Sequence, residues 1–129
     1  AVEDPNDTSS YVGTLSVGET AIITSGSYQR YFVGPDGMKY HHIIDPSTGR
    51  PADNDLVSVT IVCPDGTLAD ALSTAMFVLG ENAALKYWRE NGGFEMIMIN
   101  KDNEIMCTTG LIEVFTLTNR TDYTLKMVE

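Results

Sequence analysis

Two histidines next to a tight turn form the first group of residues that could do chemistry. The stretch HHIIDPSTG, residues 41–49, sets two imidazoles before an aliphatic pair and an Asp-Pro turn. An imidazole titrates near neutrality and can take a proton from a hydroxyl group. If His41 and His42 lie on a strand, they point to opposite faces, so they cannot chelate one ion together. Spacing alone favours the ordinary alternative, a hydrogen-bonded strand histidine beside a capped turn.

An acid and two hydroxyls in ADALST form the second group. Asp70 and Thr74 are four residues apart and Ser73 lies on the same side, so a helix would bring their oxygens onto one face. One carboxylate with one or two hydroxyls is an incomplete site for a hard cation such as Mg²⁺ or Ca²⁺. Local explanations compete with this one and are favoured by spacing alone, since Asp suits a helix start and a helical Thr often bonds the i−4 carbonyl.

The third group is the stretch TSGS, which follows a run of branched residues. A glycine flanked by hydroxyls, here Ser25-Gly26, lets backbone N–H groups approach a phosphate or the edge of a ring. One glycine falls far short of a phosphate-loop signature, so a plain turn is the default expectation.

Alternation and turn residues predict the elements that must hold these groups in place. Strands are expected at Tyr11–Val17, Thr20–Thr24, Tyr28–Val33, Met38–Ile44, Val57–Val62, Phe94–Ile99, Glu104–Cys107, Leu111–Leu117 and Tyr123–Val128, with a hairpin turn at residues 100–103. Residues 1–10 are polar and rich in turn formers, and are expected to be an entry segment.

A change of period in the middle of the chain predicts two helices. In TLADALSTAMFVLG, the inward face is expected to carry Leu68, Leu72, Ala75, Met76 and Leu79, and the helix to end at Gly80. A second helix is expected from Glu81 to about Glu90. Strands, then two helices, then strands predict an α+β fold, with two helices packed on one face of a largely antiparallel sheet.

Composition limits the classes of function. The 129 residues suit a single domain, residues 1–129, and no segment is apolar for long enough to cross a membrane. Lys and Arg total 8 against 18 Asp and Glu, a formal net charge of -10, which argues against a nucleic-acid partner. Cys63 and Cys107 lack zinc-site spacing. The favoured interpretation is that both are buried free thiols, and the sequence leaves a single disulfide open as the alternative.

Four motifs together resemble one family. TSGSYQRYF, KYHHIIDPSTGRP, LVSVTIVCP and ADALSTAMFVLG occur in the order and spacing of the ApbE family, the FAD:protein FMN transferases. The resemblance covers residues 2 to about 117, and the pair HxIDPxTG and ADAxxT is specific to it. It implies that the chain is the C-terminal half of such an enzyme, with a T-fold-related architecture. The upstream half, which supplies much of the FAD pocket, is then absent here.

The resemblance also implies an activity. Such enzymes use Mg²⁺ to transfer FMN from their substrate FAD to a threonine of an acceptor flavoprotein, and some members instead act as FAD pyrophosphatases that release FMN and AMP. Relatives imply an extracytoplasmic parent, held at the membrane only by a lipid anchor that this chain lacks. The chain alone is expected to be inactive or nearly so.

Site roles carry over by position. The resemblance makes His42 the base that deprotonates the acceptor hydroxyl, while His41 falls where the family varies. Ser25, Gly26 and Ile44 match the flavin pocket.

The helix residues match the family's metal site. Asp70 and Thr74 correspond to magnesium ligands, and Ser73 to an additional ligand of some members, where it is often Asp. Two further readings stay open: a binding module that holds a flavin nucleotide or a divalent ion without turnover, and a structural interaction domain.

Overall fold

The protein is described by a computed structural model over residues 1–118 and 122–129. Within these ranges it forms the strands β1 Val2–Asp4, β2 Asp7–Leu15, β3 Ala21–Gly26, β4 Tyr31–Val33, β5 Lys39–His41, β6 Ile44–Asp45, β7 Arg50–Pro51, β8 Leu56–Cys63, β9 Glu95–Asn100, β10 Glu104–Thr108, β11 Phe115–Leu117 and β12 Thr124–Val128. The helices are α1 Gly66–Leu79 and α2 Glu81–Asn91, with a short 3₁₀ helix at Thr109–Leu111.

A five-stranded sheet forms the centre, in the order β12-β10-β9-β8-β3. Its pairings are antiparallel except that of β10 with β12. The helices pack on one face, where α1 contacts β3 and β8. The predicted α+β class, with two helices on one face of a largely antiparallel sheet, is confirmed.

The opposite face of the sheet is also buried. Along β8, Val59 and Ile61 belong to the core beneath the helices, whereas Val62 belongs to a second core, as the alternation of a strand requires. That second core lies against the small sheet β1-β2-β11, to which Val12 and Phe115 contribute. This third layer was not expected from the sequence.

Helix α1 begins and ends as expected, but it is rotated about its axis relative to the prediction. Asp65 caps it by accepting hydrogen bonds from the backbone of Thr67 and Leu68, and Gly80 ends it. The buried residues are Ala69, Leu72, Ser73, Met76 and Phe77. Of the predicted inward face, Leu72 and Met76 are buried, whereas Leu68, Ala75 and Leu79 are exposed. The prediction of those three was wrong because the helix carries apolar residues on both sides.

Several strand predictions need correction. The entry segment at residues 1–10 contains two strands that were not predicted, β1 and the start of β2, which pair with each other. The strand expected at Met38–Ile44 breaks at His42, and that expected at Leu111–Leu117 begins with the 3₁₀ helix. Tyr28 lies in a turn, so its strand begins at Tyr31.

The two cysteines lie on opposite faces of the five-stranded sheet. Cys63 on β8 belongs to the helix-side core and Cys107 on β10 to the other core, with β9 between them. Both are buried free thiols, and their side chains point apart. The disulfide left open by the sequence is therefore excluded between these two residues.

Within the described ranges, α1 and α2 are too short or too polar to traverse a lipid bilayer.

Candidate functional site

The exposed side of α1, above the edge strand β3, carries the predicted metal ligands. Asp70 and Thr74 are both exposed on this helix, whereas Ser73 beside them is fully buried. On the strand below, Ala21 and Ile23 pack against the helix-side core, so Ser25 on the same face also points toward α1. The fold thus brings three helix residues and Ser25 together.

Hydroxyl contacts join the strand to the helix. Ser25 Oγ lies 2.8 Å from Ser73 Oγ and 3.1 Å from Thr74 Oγ1. The Ser73 hydroxyl also donates to the backbone carbonyl of Asp70 at 2.9 Å. Sequence spacing predicted that Ser73 and Thr74 would be neighbours, but it gave no sign that Ser25 contacts either.

The donor set fits Mg²⁺ as an open site. A carboxylate and hydroxyl oxygens are the ligands of a hard cation, and Asp70 and Thr74 expose theirs. Among the described residues there is no cluster of three or more His, Cys, Asp or Glu that could enclose a metal. Mg²⁺ is commonly held by one or two protein oxygens together with water and substrate phosphates, so this sparse set suits it.

Of the two ring nitrogens of His42, Nδ1 contacts a backbone carbonyl, and Nε2 has no hydrogen bond among the described residues. His42 follows β5, is exposed, and places Nδ1 3.2 Å from the backbone carbonyl of Arg30. A carbonyl can only accept, so Nδ1 carries the hydrogen and Nε2 of the neutral ring is the basic nitrogen. The backbone N–H of His42 donates to the same carbonyl at 3.2 Å. This geometry leaves Nε2 on an exposed ring, where it can accept a hydrogen bond from solvent or from a ligand.

His41 has the opposite arrangement. Its Nε2 lies 3.0 Å from the carbonyl of Ala52, and its ring meets that of Phe77 edge to face, with centroids 5.7 Å apart. The remaining nitrogen, Nδ1, is buried without a hydrogen-bond partner. This histidine packs between the strand and α1, so its unprotonated nitrogen does not reach solvent.

The DPSTG stretch forms the predicted turn between β6 and β7. Asp45 Oδ1 accepts from the backbone and hydroxyl of Ser47 at 2.8 and 2.7 Å, and these bonds hold the pKa of the carboxyl below its usual range. The backbone of Gly49, with a φ of 66°, donates to the Asp45 carbonyl. Asp45 therefore serves the turn that presents Ile44.

Ile44 and Thr74 line one apolar cavity of about 640 Å³. Its other lining residues are Pro46, Ala71, Leu72, Ala75, Met76, Val78, Leu79 and Tyr87. A volume of this size suits a planar aromatic ligand. The predicted flavin-contacting residue and a predicted metal ligand thus face the same space.

Gly26 lies in β3, paired with Ser58, rather than in the expected plain turn. A Cβ at this position would come within 2.4 Å of the Tyr28 ring. The glycine is required because that ring covers it, which leaves its backbone less open than the sequence suggested.

A second cavity of about 550 Å³, lined in part by Tyr28, Tyr40, His41 and Arg50, contains none of the predicted site residues. Of the predicted site residues, Ile44 and Thr74 line the cavity of about 640 Å³, whereas His42, Asp70, Ser73, Ser25 and Gly26 line neither cavity.

Comparison with known proteins matches this arrangement to one family. The sequence model of the ApbE family matches residues 1–98. The FAD:protein FMN transferase of Treponema pallidum (strain Nichols) is 41% identical over 113 residues, which are 87% of this chain and 31% of that protein. The protein of the same name from Escherichia coli (strain K12) is 38% identical over 105 residues, 81% of this chain and 29% of that protein.

Solved structures give the same result. The ApbE protein of Thermotoga maritima superposes with a TM-score of 0.73 at 39% identity, over 87% of this chain and 36% of that one. The flavin transferase ApbE of Vibrio cholerae gives a TM-score of 0.55 at 34% identity, over 81% of this chain and 29% of that one. The chain spans about a third of the length of these relatives.

Proposed function

Because the chain belongs to the ApbE family, we propose that it supplies part of the active site of an enzyme that transfers FMN from FAD to a threonine of an acceptor flavoprotein. The observation that carries this proposal is the cavity shared by Ile44 and Thr74. The largely apolar lining would suit an isoalloxazine ring, and Thr74 would bring a hydroxyl oxygen for a cation beside it.

We assign the metal site to Asp70 and Thr74. Both are exposed on α1, and together they would hold Mg²⁺ through a carboxylate and a hydroxyl. When bound, the ion would neutralise charge on the pyrophosphate and so improve AMP as a leaving group. Ser73 supports these two residues from the buried side of the helix, where its hydroxyl contacts Ser25 and the Asp70 carbonyl.

His42 acts as the base in this proposal. Its Nε2 takes the proton of the acceptor threonine while the threonine oxygen bonds to the phosphorus of the FMN half. The bond from that phosphorus to the bridging oxygen breaks, and AMP leaves with that oxygen. The Arg30 carbonyl, which binds Nδ1, keeps the ring in the tautomer this step needs.

Hydrolysis of FAD is the second candidate. The imidazole of His42 is exposed, so water can occupy the position of the threonine hydroxyl, and the products are then FMN and AMP. A binding module without turnover would give neither product.

Product analysis separates these candidates. The complete natural protein is incubated with FAD, Mg²⁺ and an acceptor flavoprotein, and the acceptor is then denatured. Transfer leaves flavin fluorescence on the denatured acceptor in proportion to released AMP. Free FMN in that proportion indicates hydrolysis, and absence of AMP contradicts both. The chain by itself is expected to show little or no transfer, since it spans about a third of its relatives. By family analogy, we propose that the complete protein works outside the cytoplasm.

A further inference from the structure

Three hydroxyls and one carbonyl form a continuous chain between β3 and α1. Thr74 Oγ1 contacts Ser25 Oγ at 3.1 Å, Ser25 Oγ contacts Ser73 Oγ at 2.8 Å, and Ser73 Oγ contacts the Asp70 carbonyl at 2.9 Å. Both ends of this chain belong to residues that we assign to the metal site.

The number of hydrogens fixes the direction of each bond. A hydroxyl has one hydrogen to donate and two lone pairs that accept. The Asp70 carbonyl can only accept, so Ser73 uses its hydrogen there. Ser25 must then donate to Ser73, and the contact between Ser25 and Thr74 requires that Thr74 donates. The hydrogen of Thr74 therefore points down to the strand.

This direction determines which atoms can bind a cation. With its hydrogen turned toward Ser25, the Thr74 oxygen keeps its lone pairs for a ligand on the exposed side of the helix. Ser73 is fully buried and takes part in two hydrogen bonds, so it has no exposed oxygen to offer.

We propose that Ser25 is a positioning residue for the metal site, which orients the Thr74 hydroxyl, and that Ser73 anchors Ser25 and is not itself a ligand. This inference rests on the proposed Mg²⁺ site. Removing a residue that orients a metal ligand through a hydrogen bond commonly lowers metal affinity by about 10- to 100-fold.

The strand holds Ser25 rigidly enough for this role. β3 pairs with β8 without a register shift from Ala21 to Gly26. The ring of Tyr28 covers Gly26, the next residue. The oxygen of Ser25 therefore has a fixed place from which to accept.

Thr24 provides a matched control. It precedes Ser25 on the same strand but faces the other side of the sheet, where its hydroxyl lies 2.8 Å from that of Thr60. Thr24→Ala removes a hydroxyl contact of the same kind from the same strand. It leaves the series of hydrogen bonds that leads to Thr74 unchanged.

The experiment measures metal binding directly in the complete natural protein. With FAD present and the acceptor omitted, Mn²⁺ is titrated and the free ion is followed by electron paramagnetic resonance, with competition by Mg²⁺. The variants are Ser25→Ala, Ser25→Thr, Thr24→Ala, Asp70→Ala, Ser73→Ala and Thr74→Ala. Thermal midpoints without metal are recorded for each.

We expect Ser25→Ala to weaken Mn²⁺ binding about tenfold. Ser25→Thr, which keeps the hydroxyl, and Thr24→Ala should bind as the natural protein does. If Ser25→Ala does not fold, Ser73→Ala tests the same series of hydrogen bonds from its other end. Ser73→Ala should weaken Mn²⁺ binding less than Thr74→Ala does.

Three results would overturn separate parts of the account. Unchanged Mn²⁺ affinity in Ser25→Ala, together with lost binding in Asp70→Ala, rejects the positioning role and keeps the metal site. Unchanged affinity in Asp70→Ala, or no binding by the natural protein, rejects the proposed metal site itself. Equal losses in Ser73→Ala and Thr74→Ala would make Ser73 a ligand.

Discussion

The hydroxyl oxygens of Ser25 and Thr74 lie 3.1 Å apart, so the edge strand β3 and the helix α1 meet at the proposed metal site. In the resemblance to the ApbE family, these residues have separate roles, one in the flavin pocket and one at the metal. If Thr74 binds the metal as we propose, this contact joins the two parts of the site, so a change on β3 should alter metal binding.

The two adjacent histidines should separate catalysis from packing. His42→Ala is expected to lower FMN transfer by about 10²- to 10⁴-fold, the usual contribution of a general base, with little change in stability because the side chain is exposed. His41→Ala removes a ring that packs on Phe77 and should lower the thermal midpoint while transfer continues. Initial rates and thermal melts of both variants check this, and the opposite pattern would reassign the base.

Two aspartates of the same helix region should separate metal binding from helix stability. Asp70→Asn is expected to lose Mg²⁺-dependent transfer with an almost unchanged free energy of unfolding. Asp65→Ala removes the cap that accepts from Thr67 and Leu68 and should cost about 1 kcal/mol of stability, with unchanged Mg²⁺ dependence. Denaturant titration and Mg²⁺ titration measure the two effects, and a normal Mg²⁺ response in Asp70→Asn would contradict the assignment.

Replacing Ile44 should weaken flavin binding and leave the fold unchanged. Its side chain is 47% exposed in the cavity shared with Thr74. Ile44→Ala is expected to raise the KM for FAD about tenfold, since roughly 50 Å² of apolar surface withdrawn from water contributes about 1.3 kcal/mol. Ile22→Ala is the control, because Ile22 is similarly exposed at 40% but does not line the cavity. Equal KM values in the two variants would remove Ile44 from the pocket.

The sequence predicted most elements because alternation and capping act locally. The end of α1 follows from Gly80 and the turn after Asp45 from its Asp-Pro and Gly residues, whereas the Asp65 cap was not predicted. The inward face of α1 was predicted incorrectly because Leu68 and Leu79 compete with Ala69 and Phe77 for burial, and only packing against β3 and β8 decides between them. Because strands that are distant in the sequence decide which helix residues are buried, no local sequence pattern predicts that face.

Long-range contacts also determined what the site analysis missed. The ring orientations of His41 and His42 depend on the carbonyls of Ala52 and Arg30, at separations of 11 and 12 residues. Ser25 was expected near the flavin, and its link to Thr74, 49 residues away, could be foreseen only from the alternation along β3. The opening residues were expected to be a polar entry segment, but Asp4 is buried and accepts a hydrogen bond from the Tyr123 hydroxyl at 2.5 Å.

Thiol reactivity should report the buried state of Cys107. Burial, followed by the nearby charge of Glu95, raises the pKa of its thiol to about 12. The folded protein thus holds this proton more tightly than the unfolded chain does. At pH 8 the thiol stays protonated and should resist iodoacetamide until the protein is unfolded. As the pH rises above the ordinary thiol value near 9, the unfolded chain loses the proton first, so this group favours folding less. Peptide mapping after alkylation tests this, and rapid labelling of native Cys107 at pH 8 would contradict it.

The mass of the acceptor flavoprotein tests the central claim most directly. The complete natural protein, its Asp70→Ala variant and its His42→Ala variant are each incubated with FAD, Mg²⁺ and the acceptor, and intact acceptor is weighed by mass spectrometry. We expect one FMN group to be added by the natural protein, none by Asp70→Ala, and little or none by His42→Ala at early times. An acceptor that gains FMN equally well from all three would contradict the account.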